Sequence, residues 1–194
     1  MGSTLKVDNI VGTSGTSAPI TLSGDTATLG SGVTFPSGGH VVQTKSTTKV
    51  DAWSSNSTSY TDVTGMSVDI TPTSASNKIF VMIHLNYGGS LNLYANAKVL
   101  RDSSVIDIST AVSLGNQINA TFAFGGDNDN FQYKLKSLAY NFLDSPPSAA
   151  ALTYKLQLST NDSSRYVYVN RPSNNDNGSY ISGGTSSITV MEVT

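Results

Sequence analysis

The sequence predicts an all-β protein in which an extended amino-terminal segment precedes an antiparallel β-sandwich. No window combines a 3.6-residue apolar period with helix caps. Short runs of alternating apolar and polar residues recur instead, as in strands with one buried face. Gly, Pro, Asn and Asp separate these runs and favour turns. About nine to eleven short strands follow the first 39 residues, a pattern typical of a sandwich or jelly roll.

The segment 1–39 predicts a slender stalk, an arm that anchors the protein to an assembly. Gly, Ser or Thr fills more than half of its positions, and Ser-Gly steps separate very short apolar alternations. Strands this short cannot bury side chains by themselves, so we expect copies of the chain to intertwine, three around one axis. A disordered tether is the alternative that this composition allows. The expected stalk core consists of Leu5, Val7, Ile10, Ile20, Leu22, Leu29, Val33 and Phe35.

The segment 40–194 predicts the sandwich, or head, since its strands lengthen and 15 of the 16 aromatic residues lie here. The most apolar run, 78–87, predicts a central strand buried on both faces. The carboxyl-terminal run 188–193 predicts another central strand. Alternation predicts further strands at 41–45, 60–70, 91–99, 105–108, 118–124, 133–142, 152–158 and 166–169.

Composition excludes several classes of function. Net charge is −2 without a basic cluster, so nucleic-acid binding has no electrostatic support. The absence of cysteine excludes disulfides and thiolate chemistry. No apolar run approaches the ~20 residues of a membrane helix, and no secretion signal opens the chain, so we expect synthesis in the cytoplasm.

Catalytic and metal-binding motifs are also missing, so we expect neither an enzyme nor a cofactor or metal. Glu192 is the only glutamate, which leaves paired acid catalysis to aspartates. His40 lies where stalk and head join, so it is either a solvated residue or part of a metal or anion site on a threefold axis. His84 lies in the most apolar run and predicts a core or interface histidine. Loops 127–130 and 174–178 carry oxygen ligands that suit a calcium ion, but neither has the carboxylate that an EF-hand requires, and ordinary turns are the favoured alternative.

Tyr, Asn and Arg side chains in the predicted head loops suit contacts with sugar or protein, through stacking and hydrogen bonds. Tyr166, Tyr168 and Asn170 belong to this pattern, which ordinary strand aromatics would also produce. The candidate contact residues are Trp53, Asp127, Asn128, Asp129, Arg171, Asn174, Asn175 and Tyr180.

Several segments together carry a family resemblance. They are STLKVDNIVGTSGTSAPITLSGDTATLGSGVTFPSGG, HVVQTKSTT, TSYTDVTGMSVDITPTSASNKIFVMIHLNY, FLDSPPS, YVNRPS and GGTSSITVMEV. In this order they resemble tail-fibre and other virion-surface proteins of tailed bacteriophages, particularly those of marine bacteria and cyanobacteria. The resemblance implies a homotrimer on the virion surface whose jelly-roll head is like that of the tumour-necrosis-factor class, with no active site.

Two functions fit this resemblance. The first is a fibre that is anchored to other virion proteins by its arm and attaches to a host surface glycan or protein through head loops. The second is a capsid decoration, head-fibre or tail connector protein that stabilises the particle without a ligand. The chain of 194 residues is short for a complete tail fibre, which favours the second function, whereas the recognisable head favours the first, which we expect.

Overall fold

The computed structural model describes residues 9–10, 20–23, 26–29, 40–106, 117–125, 131–174, 176 and 178–194. The chain divides into two compact units, Met1–Gly38 and Gly39–Thr194. The first contains strands β1 (Asn9–Ile10), β2 (Ile20–Ser23) and β3 (Thr26–Leu29), which pair antiparallel in the order β1-β2-β3. Intertwining of three chains stays a prediction. Of the expected stalk core, Leu5, Val7, Val33 and Phe35 lie outside the described residues.

The second unit has eleven strands among its described residues. A 3-10 turn, Phe131–Tyr133, interrupts them. The strands are β4 (Val41–Lys49), β5 (Trp53–Ser55), β6 (Thr61–Ile70), β7 (Lys78–Gly89), β8 (Tyr94–Arg101), β9 (Ser104–Ile106), β10 (Phe122–Gly125), β11 (Lys136–Asp144), β12 (Leu152–Thr160), β13 (Val167–Val169) and β14 (Ser186–Val193).

These strands form two antiparallel sheets in a sandwich-like arrangement, which confirms the predicted all-β class. The six-stranded sheet has the order β4-β14-β7-β13-β5, with β11 along the other edge of β7. The five-stranded sheet has the order β10-β8-β12-β6, with β9 beside β8. One apolar cluster lies between them, because alternate residues of the central strands of both sheets point into it.

Strand β7 is central, as predicted, but only one of its faces is fully buried. Ile79, Val81 and Ile83 are at most 2% exposed, whereas His84 points outward and is exposed. The prediction of burial on both faces is therefore wrong, because a two-layer sandwich covers each sheet on one side only. The terminal strand β14 lies between β4 and β7, which confirms its predicted central position.

Some strand limits differ from the predictions where local turns intervene. The strand predicted at 91–99 starts only at Tyr94, because residues 90–93 form a turn. In this turn the Leu93 amide donates to the Ser90 carbonyl at 3.2 Å, and Asn92 has a positive φ of 59°. The strand predicted at 133–142 is β11, which is shifted towards the carboxyl terminus because the 3-10 turn takes up Tyr133.

The antiparallel registers define two ends of the sandwich. We call the end that holds His40 and Thr194 the base: the Thr194 amide donates to the His40 carbonyl at 3.3 Å. The opposite end, the apex, is where β4 ends beside the start of β14 and β7 ends beside β13. The 3-10 turn and the segments 50–52, 90–93, 161–166, 170–174 and 178–185 lie at the apex, next to strand ends located there.

Candidate functional site

The most exposed aromatic side chains of the described residues are four tyrosines, and all four lie at the apex. Their exposed fractions are 57% for Tyr94, 37% for Tyr133, 40% for Tyr166 and 64% for Tyr180. We call these four residues the apical tyrosines. Tyrosine combines a flat apolar ring with a polar hydroxyl and suits recognition at a wet surface. Their location at one end makes the apex the candidate binding site.

Tyr133 and Tyr180 come from separate segments and contact each other. Their ring centroids are 6.1 Å apart at an interplanar angle of 66°. The Asn174 amide donates to the Gln132 carbonyl at 2.7 Å, which joins the loop that carries Tyr180 to the turn that carries Tyr133. Gly178 lies directly beneath the Tyr180 ring, where any Cβ would collide with ring atoms. The two rings therefore contact each other, and the Tyr180 ring also contacts the loop backbone at Gly178.

A second aromatic group lies along β13. The rings of Tyr166 and Tyr168 are nearly parallel, at 19°, with centroids 5.9 Å apart. The Arg171 guanidinium lies 4.2 Å from the centre of the Tyr168 ring, in cation–π geometry. One of its nitrogens, Nη1, also donates to the Pro172 carbonyl at 3.2 Å. Arg171 therefore packs inside the apex, against the Tyr168 ring and the loop backbone.

Asn170 anchors the long apical loop, although its sequence context predicted a ligand contact. It is only 4% exposed and has a positive φ of 65°. Its Nδ2 donates to the carbonyls of Lys49 and Asp51, both at 2.9 Å. Its Oδ1 accepts a hydrogen bond from Ser186 Oγ at 2.7 Å. The predicted contact role of Asn170 is wrong, because burial keeps its amide away from any ligand.

The other predicted contact residues have different surroundings. Trp53 lies in β5, half-buried against the apolar core rather than in an open loop. Arg171 and Asn174 lie at the apex and are half-buried, and Tyr180 is exposed. The role of these residues as ligand contacts stays a prediction. The remaining predicted contacts lie outside the described residues: Asp127, Asn128, Asp129 and Asn175.

Glu192, the only glutamate of the chain, is buried at the base of the sandwich. Glu192 is 0% exposed. Its Oε1 accepts hydrogen bonds from Thr73 N and Oγ1, both at 2.7 Å, and from Asn77 Nδ2 at 2.6 Å. Its Oε2 accepts one from Gln43 Nε2 at 2.7 Å. Burial raises the pKa of this carboxyl, but the hydrogen bonds outweigh it and lower the pKa to about 2. Glu192 is a structural anion.

A second charged group joins the two sheets at the base. Arg101 Nη1 on β8 lies 2.7 Å and 2.6 Å from the two carboxylate oxygens of Asp144 on β11. The Tyr154 hydroxyl on β12 donates to the same carboxylate at 2.7 Å. Burial raises the pKa of the Tyr154 phenol far above its usual range, and the bond to Asp144 raises it further. These ionisable groups are paired with one another within the fold.

The histidines and the acidic residues do not form a metal centre within the described ranges. His40 is exposed, and its Nδ1 lies 2.8 Å from Thr194 Oγ1. His84 is exposed on the outward face of the six-stranded sheet, so the core location predicted for it is wrong and an interface role stays a prediction. No three His, Asp or Glu side chains among the described residues lie close enough to hold a metal ion.

A shallow pocket of about 240 Å³ opens on the same outward sheet face. Its floor is formed by neighbouring parts of β7, β11 and β14. The lining side chains on this face are Met82, His84, Ala139, Asn141, Ser187 and Thr189. Among these six side chains, His84 is the one titratable group, and the other five are uncharged.

No family model and no curated protein matches the chain. Among the described residues, no helix has the length and apolar character needed to cross a membrane.

Proposed function

We propose that the chain is a structural virion protein of a tailed bacteriophage, a trimeric fibre that attaches to the host through its head. One observation carries this proposal: the apical tyrosines lie at the end of the head opposite His40, where the chain enters from the amino-terminal segment. A fibre anchored by that segment needs its ligand-binding groups at the free end. We propose no catalytic step, since the buried ionisable groups described above, Glu192 and the Arg101–Asp144–Tyr154 cluster, are hydrogen-bonded within the fold.

We propose that the head is a jelly roll. The strand order supports this, because the long strands β4, β6, β7, β8, β11, β12 and β14 alternate in sequence between the six-stranded and five-stranded sheets. Chain crossing between the sheets at nearly every connection is a feature of that architecture.

The outward face of the six-stranded sheet supports trimer formation. On the outward positions of β4, β7, β11 and β14, only Lys78 and His84 have side chains that can carry a charge. Half-buried Phe80, Met82 and Met191 supply apolar area there. Protein interfaces are depleted of charge in their centre, whereas sheet faces in contact with water usually are not. This face therefore suits contact with further copies of the chain.

The attachment function can be tested with the full-length protein and cells of the bacterium that the parent phage infects. We expect the labelled protein to bind the cells and to reduce infection when added in excess. A variant with all four apical tyrosines changed to alanine should lose binding while its melting temperature stays close to the original. Absence of binding and of competition by the unmodified protein would contradict the proposal.

The alternative function is that of a decoration, head-fibre or connector protein. The family resemblance covers these virion positions as well as the tail. Averaged cryo-electron micrographs of the virion distinguish the two functions. Density on the tail with the apex outward supports attachment. Density on the capsid, together with genome release at a lower temperature from particles that lack the protein, supports decoration.

A further inference from the structure

We propose that the Tyr133–Tyr180 pair is a sugar-binding site, so that the ligand at the apex is a glycan rather than a protein. This inference rests on the proposed attachment function. The chemical class is a pyranose whose axial C–H groups form a continuous apolar face, as in gluco- and galacto-configured sugars.

The geometry of Tyr180 suits stacking against such a face. Its side chain is 64% exposed although Tyr133 packs against it and Gly178 lies beneath it. Contact with Tyr133 and Gly178 leaves most of the ring open to solvent. A rigid aromatic surface loses little conformational entropy when a ligand stacks on it.

The surroundings of the pair favour a sugar over a protein. Its described neighbours include the exposed residues Asp176 and Ser179, and the Asp176 carboxylate accepts one hydrogen bond from Asn174 Nδ2 at 2.8 Å, which leaves it further acceptor capacity. Such groups can bond the hydroxyls around a pyranose ring. A protein partner would need about 800 Å² of contact with an apolar centre, whereas the exposed aliphatic residues of the apex, Val50 and Leu91, belong to other segments and Ile181 beside Tyr180 is half-buried.

The test is saturation-transfer difference NMR on the full-length protein with two probes, methyl β-D-glucopyranoside and methyl β-D-galactopyranoside. We expect at least one probe to receive magnetisation, most strongly at the C–H protons of its apolar face. Tyr180→Ala should weaken binding about tenfold, because it removes the stacking surface. Tyr180→Phe should retain binding, and Val105→Ala, which truncates an exposed side chain on β9 far from the apex, should leave it unchanged.

Absence of transfer to both probes, or equal transfer to the Tyr180→Ala variant, overturns the inference. Cell binding separates this result from a failure of the proposed function. Attachment that survives periodate oxidation of the cells but is lost after protease treatment keeps the attachment function and overturns the glycan ligand. Glycoside binding without any attachment to cells keeps the sugar site and overturns the attachment function.

Discussion

Glu192 shows how one buried charge can hold two distant segments together. Its carboxylate accepts hydrogen bonds from Thr73 and Asn77 in the loop after β6 and from Gln43 on β4. Every donor is neutral, and each compensates part of the cost of burying the charge. This carboxylate therefore attaches the 71–77 loop to the carboxyl-terminal strand.

We predict that the head becomes less stable in acid because Glu192 must then take up a proton. Its pKa falls from an ordinary 4.5 to about 2 in the folded state. A lowered folded-state pKa stabilises the fold fully above the unfolded value, and this stabilisation is lost as the pH falls from about 4.5 towards 2. The lost contribution is about 3 kcal/mol. Urea unfolding at fixed protein concentration, measured between pH 7 and pH 2, provides the check.

Glu192→Gln tests the same site at neutral pH. Its new amide group would face the Gln43 donor, so we expect a loss of about 2–3 kcal/mol in the free energy of unfolding at pH 7. Its stability should also vary less between pH 4.5 and 2 than that of the unmodified protein. Asp176→Asn, a change at an exposed carboxylate, is the control. Equal stability of both variants at pH 7 would contradict the assigned role of Glu192.

The inward position of Glu192 could be predicted from the sequence, but its partners could not. Ile188 and Val190 alternate on the buried face of the last strand, and the same period places residue 192 on that face. The donors Thr73 and Asn77 are 119 and 115 residues away along the chain. Nothing local in the sequence indicates that this loop packs there.

At the scale of elements, the alternation of apolar and polar residues predicted the central strands. It did not predict where some strands begin, because local turns set those limits. The apolar runs of β7 and β14 identified both strands because their inward residues recur at every second position. Tyr133 continued an apolar alternation into the 3-10 turn, so the predicted start of β11 was too early. The clustering of the apical tyrosines was not predictable, since they adjoin four different strand ends.

Gly88 tests how the end of β7 positions the apical loop. A Cβ at this position would lie 2.6 Å from the Arg171 carbonyl oxygen and 2.6 Å from Pro172 Cα. Both atoms belong to the backbone, so Gly88→Ala must displace the loop. We expect a loss of about 1–3 kcal/mol in stability and weaker binding at the apex. Urea unfolding and the cell-binding assay measure the two effects.

Gly183→Ala is the matched control for this change. The nearest atom to its added Cβ is the Asn170 carbonyl oxygen at 3.6 Å, an ordinary contact. We expect stability and binding close to those of the unmodified protein. Equal effects of the two alanine substitutions would show that close packing at Gly88 does not position the loop.

At the scale of the whole molecule, the two sheet faces that point away from the core differ in chemistry. The outward face of the five-stranded sheet carries Asp62, Asp69, Lys98 and Lys155, and Lys155 Nζ bonds to Asp62 at 2.8 Å. The outward face of the six-stranded sheet offers methionine, phenylalanine, alanine and hydroxyl side chains around its shallow pocket. This asymmetry predicts that the first face is in contact with water and the second with other copies of the chain.

Met82→Glu tests this assignment because it places a carboxylate beside the pocket. If the face is buried between copies, each protomer brings an unpaired charge into the interface, which costs several kcal/mol. We expect the unmodified protein to have about three times the 20.3 kDa chain mass in mass photometry. The trimer of the variant should already dissociate at protein concentrations at least about tenfold higher than those at which the unmodified trimer dissociates.

Ser67→Glu, at an exposed position on the other outward face, is the control, and its trimer should dissociate at the same concentrations as the unmodified trimer. A single-chain mass for the unmodified protein at every concentration, or indistinguishable dissociation of all three proteins, would contradict a role of this face in assembly.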